Sequence, residues 1–304
     1  MKKISLIAIL LVFVISLSGC VKEEKDTGEL NICTMIFCEY DFAKAITKDK
    51  ADITLLVKPG TESHSYEPET KDMINATESD VFIYTSVYMK TQAEKILNAV
   101  KNDNMIICDT SENIELRNIN HTYEETHHED VEPHIWTSPV NAIKMVGNIC
   151  DKICEADKEN EEFYRENANA YIMKLKQLDV DFQEVLKEKE NKKMIFGSRF
   201  PLLYFTQEYN ISYDSAFDDC SGETEPGVKV MARLIEEIKS ENIPTVFYTE
   251  MSDTKVADAL CEETNAKKAL FHSCHNVTKD EFERGETYVS LMEKNVEALK
   301  DGLK

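Results

Sequence analysis

The chain has 304 residues, of which 42% are apolar, and its formal net charge is −22 at pH 7. This excess of acids argues against nucleic-acid binding, because a phosphate backbone demands Lys and Arg, and against peripheral binding to anionic lipid. A chain of this length usually forms two hydrophobic cores rather than one, so we expect two domains.

The first twenty residues have the composition of an export signal. Two lysines precede an apolar run that is shorter than the ~20 residues of a membrane span, and the run ends in "LSGC" at Cys20. This ending resembles the lipobox of bacterial lipoproteins, which implies cleavage before Cys20 and acylation of its sulfur. The alternative is an ordinary signal with an accidental cysteine. We predict a signal peptide over residues 1–19 and a flexible, lipid-anchored tether over 20–28, at the extracytoplasmic face of the cell membrane.

Eight further cysteines are scattered along the chain without a C-x-x-C pair. This spacing argues against a zinc ribbon or a thioredoxin-type motif. Outside the cytoplasm these thiols could form disulfides, but the sequence does not give their pairing. The other reading is that several are buried as small apolar side chains.

Strands and helices alternate along the first part of the mature chain. Apolar runs predict strands at Leu30–Ile36, Ile53–Val57, Val81–Tyr84 and Met105–Cys108. The segments between them predict helices at Tyr40–Ile46, Thr70–Ala76 and Lys90–Val100. Such alternation is typical of a parallel sheet covered on both faces.

The segment from Asp151 to Phe196 contains neither glycine nor proline, and its apolar residues from Tyr164 to Leu186 recur at helical spacing. We predict one helix of about 30 residues, roughly 45 Å long. That is too long for an ordinary helix within a small lobe, and too few heptads follow the a/d pattern to favour a coiled coil. The helix is therefore expected to connect two lobes.

Alternation resumes after this helix. Strands are predicted at Met194–Gly197, Thr245–Tyr248 and Lys268–Phe271, and helices at Val228–Lys239, Lys255–Thr264 and Tyr288–Leu303. The predicted fold class is α/β: two lobes, each a parallel sheet flanked by helices, joined by one long rigid helix. The boundaries we predict are 29–158 for the N-terminal lobe, 159–190 for the linking helix and 191–304 for the C-terminal lobe. A ligand cleft is expected between the strand ends.

Two of the seven histidines lie in distinctive strings, His64 in "PGTESHSYEPET" and His134 in "VEPHIWTSPVNA". At this separation the strings resemble the metal-site signatures of the zinc- and manganese-binding receptors of bacterial ABC importers. The resemblance covers essentially the whole mature chain. It implies a rigid two-lobe fold in which histidines and carboxylates hold the metal between the lobes, with His64 and His134 among the ligands. Glu67, in the first string, either orients a histidine or is a surface carboxylate.

The sequence departs from that family at the other two ligand positions. Where members place a His or Glu, "GSRFPLLYFTQEY" has Arg199, whose guanidinium has no lone pair to donate. We expect Arg199 to pair with Glu225 or Glu250 instead. Where members place an Asp at a strand end, "ETNAKKALFHSCHNV" has His272, with Cys274 and His275 after it.

His272 is therefore the predicted third ligand, with His275 and Cys274 as further candidates. The alternative reading is that His272 caps a strand end, while Cys274 is buried or bonded to Cys220. A short segment holding His121, His127 and His128 among acidic residues is either a metal-gathering loop or a solvated acidic one.

We predict a monomeric, non-catalytic receptor that binds zinc, with manganese as the alternative, and delivers it to an ABC importer permease. A nitrogen-rich ligand set favours zinc over the harder Mn²⁺. One rival is an extracellular zinc hydrolase, although the chain contains no HExxH, GxSxG or P-loop motif. Another is a surface adhesin whose metal is structural.

Overall fold

The computed structural model describes residues 30–118, 131–217 and 225–304, and within them the chain forms two four-stranded parallel sheets. The first lobe holds, in chain order, β1 (Leu30–Thr34), α1 (Phe37–Thr47), β2 (Ala51–Leu55), α2 (Thr70–Thr77), β3 (Val81–Tyr84), α3 (Ser86–Ala99), β4 (Ile106–Asp109) and α4 (Pro139–Ala156). Its strand order is β2-β1-β3-β4. The predicted signal, the lipobox cysteine and the histidine-rich segment lie outside the described residues.

The second lobe repeats this arrangement after a long helix. That helix is α5 (Glu161–Lys187), followed by β5 (Lys193–Phe196), α6 (Leu203–Glu208), β6 (Ser212–Ser215), α7 (Val228–Glu241), β7 (Thr245–Tyr248), α8 (Lys255–Glu263), β8 (Lys267–Leu270), α9 (Lys279–Glu283) and α10 (Tyr288–Gly302). The strand order, β6-β5-β7-β8, is the counterpart of the first. The predicted fold class is thereby confirmed.

Helix α5 connects the lobes, as the sequence predicted, with 27 residues rather than about 30. Its buried side chains recur every three or four residues and pack against α1, α4 and α10. Asp41 of α1 forms hydrogen bonds to both neighbouring helices. One of its carboxylate oxygens accepts from the Tyr171 hydroxyl at 2.6 Å and from the Tyr288 backbone N–H at 3.0 Å. Helices α1, α5 and α10 therefore meet at one buried carboxylate.

Four elements, helices α4, α6 and α9 and strand β6, were not predicted from the sequence. Helix α4 was left largely unassigned, although Ser138 caps it by accepting a hydrogen bond from the Asn141 N–H and Pro139 occupies its first turn. Strand β6 is polar ("SYDS") and lies at a sheet edge, so it lacks the apolar run of a central strand. The lobe boundaries at 158 and 190 remain predictions.

No helix in residues 30–118, 131–217 or 225–304 combines the length and the apolar character needed to cross a bilayer.

The seven cysteines in the described part of the chain are all free thiols. Four of them, Cys33, Cys38, Cys108 and Cys274, are at most 1% exposed. These four are therefore small apolar core residues, as one of the two sequence readings held. Cys220, the possible partner of Cys274, lies outside the described residues.

The buried carboxyl of Glu39 is expected to make stability fall as pH rises. It accepts hydrogen bonds from the Met35 and Ile36 backbone N–H groups and the Thr85 hydroxyl, at 2.9, 3.1 and 2.8 Å. Burial nevertheless outweighs these bonds and raises its pKa to about 8. Since the pKa is higher in the folded state, this stability is complete below the unfolded value of ~4.3 and is lost as pH rises through 8.

Glu39→Gln removes this titration while its amide can still accept from the backbone and donate to Thr85. We expect the variant to gain stability relative to the wild type between pH 5 and pH 8.5. Chemical denaturation of both proteins without metal, at pH 5, 7 and 8.5, measures the difference. Parallel stability curves would show that Glu39 does not titrate in this range.

Candidate metal centre

Three histidines from separate loops meet where the two lobes face each other. His64 lies in the loop after β2, His134 directly precedes the short 3₁₀ helix Ile135–Thr137, and His275 follows β8. One ligand nitrogen from each lies within 4.8 Å of the other two. The His134 and His275 rings are 4.3 Å apart between centroids, and His64 lies 5.5 and 5.2 Å from them.

The histidines border an open cleft of about 650 Å³ between the lobes. His64 and His275 line this cleft, whereas His134 is 1% exposed. The cleft lies beyond the carboxyl ends of β2, β7 and β8. This is the position at which parallel α/β sheets commonly bind ligands.

His134 is oriented by a buried carboxylate two residues before it. Its Nδ1 contacts Glu132 Oε1, and its backbone N–H donates to the same oxygen at 3.1 Å. A carboxylate on one ring nitrogen fixes the orientation of an imidazole and raises the basicity of the other nitrogen. Nε2 is thereby the atom of His134 that would bind a metal.

His275 is oriented by a two-step relay from Glu250. The Ser273 hydroxyl donates to Glu250 Oε1 at 2.6 Å and lies 2.7 Å from His275 Nδ1. Because the hydroxyl has one proton and gives it to Glu250, it accepts from Nδ1–H. The relay therefore selects the tautomer in which Nε2 carries the lone pair.

The Nε2 atom of His275 is buried and has no hydrogen-bond partner among the described residues. Burial, together with the neighbouring His134 and His64 rings, holds the pKa of His275 well below its usual range. The ring is consequently neutral at physiological pH, as a metal ligand must be.

Removal of the Ser273 hydroxyl should therefore weaken metal binding without touching a ligand. We expect Ser273→Ala to lower zinc affinity by about 10- to 100-fold, the range typical of groups that orient a metal-bound histidine. Chelator competition measures the change. Ser252→Ala is the matched control, because Ser252 also lines the cleft but bonds Thr249 at 2.8 Å. Equal affinities for the two variants would contradict the relay.

The structure does not bring His272 or Cys274 into this group. The Nδ1 of His272 accepts the Cys274 backbone N–H at 3.0 Å, and its Nε2 lies 3.8 Å from Glu281. The Asn295 side chain holds the His272 backbone on both sides, at 2.7 Å each. Cys274 is fully buried, and burial raises its thiol pKa well above the usual value. Of the three candidates that follow β8, the geometry selects His275.

One other expectation differs from the structure. Arg199 lines the cleft, but none of the ion pairs between described residues joins it to Glu225 or Glu250. Glu250 is instead occupied by the Ser273 hydroxyl and the backbone N–H groups of Ser273 and His275. Of the two readings of Glu67, the structure supports the surface carboxylate, because its side chain accepts a hydrogen bond from Lys95 at 2.6 Å.

Hydrogen bonds across the lobes hold the two halves of the site in register. The Asn276 amide donates to the carbonyls of Lys58 and Thr61 at 2.8 and 2.9 Å. On the far side, Trp136 Nε1 donates to the Ser273 carbonyl at 3.0 Å. These bonds involve residues next to or near His64, His134 and His275, so they hold the loops that carry the three histidines together.

Sequence reasoning missed the groups that orient the ligands. Glu132 could have been suspected, because it stands two residues before His134 in the recognised string. Ser273 and Glu250 could not, since they lie 23 residues apart and nothing local connects them. Within the described ranges no fourth His, Cys, Asp or Glu joins the three histidines. Three imidazoles suit zinc, which then keeps a fourth position for water or another ligand.

Two parallel sheets joined by one long helix, with histidines converging between them, define a two-lobe metal-binding protein. Residues 32–302 match the family described as zinc-uptake complex component A, periplasmic, and the chain belongs to that family. The resemblance inferred from the His64 and His134 strings is confirmed.

Individual relatives agree with this family. The high-affinity zinc uptake system protein ZnuA of Bacillus subtilis is 32% identical over 290 residues, which cover 90% of this chain and 88% of that protein. The zinc-binding lipoprotein AdcA of Streptococcus pneumoniae is 32% identical over 307 residues, but the match spans 61% of its length.

Solved structures show the same fold. The metal-dependent lipoprotein YcdH of Bacillus subtilis superposes with a TM-score of 0.78 at 31% identity, covering 90% of this chain and 99% of that one. The Zn(II)-bound ZnuA-like domain of Streptococcus pneumoniae AdcA gives 0.76 at 29% identity, covering 91% and 99%.

Proposed function

We propose that this protein is an extracytoplasmic receptor that captures Zn²⁺ in the cleft between its lobes and delivers it to the permease of an ABC importer. The observation that carries the proposal is the convergence of three imidazoles, two from the first lobe and one from the second, within 4.8 Å. Membership of the zinc-uptake family supports the same function. No catalytic step is part of the proposal.

The ligand set we propose is His64, His134 and His275. It retains two of the three histidines favoured by the sequence and replaces His272 by His275. Glu132 and the Ser273–Glu250 pair act on the ring nitrogens that face away from the metal. His272 holds the loop instead, through the Cys274 backbone and the carboxylates of Glu250 and Glu281.

The donor chemistry favours zinc as cargo. Three neutral nitrogens suit a borderline cation, whereas Mn²⁺ prefers oxygen ligands and a higher coordination number. Zinc also stands above manganese in the general affinity order for divalent ions. Two of the compared relatives carry zinc in their names.

Metal titration tests this function directly. Metal-free protein should bind one equivalent of zinc in competition with a chelating dye, and at least ~100-fold more tightly than manganese, given the nitrogen donors. An equal or greater affinity for manganese would exclude the proposed cargo. Zinc binding at several weak sites without a tight one would exclude the receptor function altogether.

We further propose that the mature chain is anchored to the membrane through acylated Cys20 and acts as a monomer. The support is the "LSGC" ending of the export signal and the lipoprotein names of relatives. Cys20→Ala should release the protein from the membrane fraction or leave its signal uncleaved. A variant that fractionates and matures like the wild type would rule out the anchor.

A further inference from the structure

Helix α4 carries a pair of cysteines one turn apart, at a distance from the histidine cleft. Cys150 and Cys154 are each 4% exposed, and their sulfur atoms lie 3.9 Å apart. The Cys154 sulfur also lies 3.9 Å from the carbonyl of Glu161, at the start of α5. Neither thiol has a role in the proposed zinc site.

We propose that Cys150 and Cys154 bind one soft, two-coordinate cation of the Cu⁺ type, at a site separate from the zinc cleft. Thiolates are soft ligands that favour Cu⁺, zinc and iron–sulfur clusters among biological metals. Zinc is disfavoured here, because it requires four ligands and no third His, Cys, Asp or Glu joins this pair among the described residues.

A bridging ion fits the geometry better than a disulfide does. A disulfide needs the sulfurs at about 2.0 Å and the Cβ atoms at about 3.5–4.5 Å, yet side chains one helical turn apart have Cβ atoms about 5–6 Å apart. Two metal–sulfur bonds of about 2.3 Å, the length of a zinc–thiolate bond, span about 4.6 Å when linear. The sulfur atoms are 3.9 Å apart. They would have to separate by less than about 1 Å to hold a bridging ion, but would have to approach to about half their present distance to form a disulfide.

The surroundings explain why a soft ion is selected over a hard one. Burial raises the pKa of Cys150 to about 12, with the neighbouring Cys154 adding to the shift, and burial also raises the pKa of Cys154. The empty pair is therefore two thiols. Binding releases both protons, as two RSH and Cu⁺ give (RS)₂Cu⁻ and two H⁺. An ion with high affinity for sulfur can drive this release.

The pair is also close to the surface. Cys33, Cys38, Cys108 and Cys274 are 0–1% exposed, while Cys150 and Cys154 retain 4% each beside the exposed Arg165. The charge of Arg165 opposes the rise in both thiol pKa values, while its guanidinium also pairs with Asp151 and Glu161 at 2.9 and 2.7 Å. Soft ions held here would be kept from competing for the three histidines.

The test uses the full-length protein, purified in detergent and loaded with zinc, so that the histidines are occupied. Anaerobic titration with Cu⁺ buffered by bicinchoninate should show one tight equivalent and a near-ultraviolet thiolate-to-copper band. Cys150→Ser and Cys154→Ser should each lose the band and weaken binding at least ~100-fold, since one of two ligands is removed. Cys261→Ser is the matched control, because Cys261 is a partly buried helical thiol outside the pair, and it should leave Cu⁺ binding unchanged.

Thermal unfolding verifies that each serine variant is folded, and the corresponding alanine variants repeat the comparison where serine is not tolerated. Unchanged Cu⁺ affinity in both variants would overturn the proposal. A Cys150–Cys154 disulfide found by mass spectrometry in protein purified without reductant would also overturn it. Because zinc content is measured in the same samples, failure of this site is distinguishable from failure of the zinc cleft.

Discussion

Replacement of His275 by Asn is expected to weaken zinc binding by more than ~100-fold, beyond the effect of removing a group that merely orients a ligand. The Asn side chain reaches the position of Nδ1 and can still bond the Ser273 hydroxyl. It has no atom at the position of Nε2, however, so the second lobe loses its only histidine in the three-member group. Competition with a chelator of known zinc affinity measures the loss.

His272→Asn is the matched control for that variant. An Asn carbonyl can accept the Cys274 backbone N–H as Nδ1 does, while the contact with Glu281 disappears. We expect zinc affinity within about 10-fold of the wild type and a stability loss of about 1–3 kcal/mol, because a buried polar contact is removed. The reverse pattern, with His272→Asn abolishing zinc binding and His275→Asn retaining it, would restore the ligand set predicted from sequence.

Gly197→Ala should be among the most destabilising single substitutions. Gly197 follows β5, and a Cβ there would lie 2.5 Å from the Cα of Ala257 on α8. A backbone atom cannot rotate away, so α8 must move off the sheet. Overpacking of this kind costs about 1–3 kcal/mol, and we expect the upper end of that range or more. Urea denaturation of the metal-free protein measures the change.

Gly147→Ala provides the opposite expectation for the same chemical change. Gly147 lies within α4, and a Cβ there would meet nothing within 4 Å. Alanine in a helix interior is favoured over glycine by about 0.8–1 kcal/mol, so the variant should be more stable than the wild type. If Gly197→Ala is as well tolerated as Gly147→Ala, α8 does not pack against β5 as closely as described.

The two strands whose predicted bounds match the structure at both ends are largely buried. β3 and β7 have the predicted bounds, Val81–Tyr84 and Thr245–Tyr248, because both are central apolar strands in their sheets. The edge strand β6 has exposed or half-buried side chains, so it produces no hydrophobic signal. A hydrophobic pattern in the sequence reflects the burial of side chains, and the side chains of β6 are not buried.

The candidate site was likewise predicted only in part. His64 and His134 lie in sequence motifs that can be recognised as metal-site signatures. The choice between His272 and His275, in contrast, depends on the path of the loop after β8. Cys274 adopts a positive φ of 57°, an unusual conformation for a residue other than glycine, and it redirects the chain between the two histidines. Asn295, in a helix far along the sequence, holds His272 in place. Neither constraint is visible in the local sequence.

The most direct test of the ligand set is a crystal structure of the zinc-loaded protein with anomalous data collected on both sides of the zinc absorption edge. We expect one strong anomalous peak in the cleft, about 2.0–2.1 Å from the Nε2 atoms of His64, His134 and His275. A peak bound by His272 or Cys274, or a cleft with no zinc peak while zinc is bound elsewhere, would contradict it.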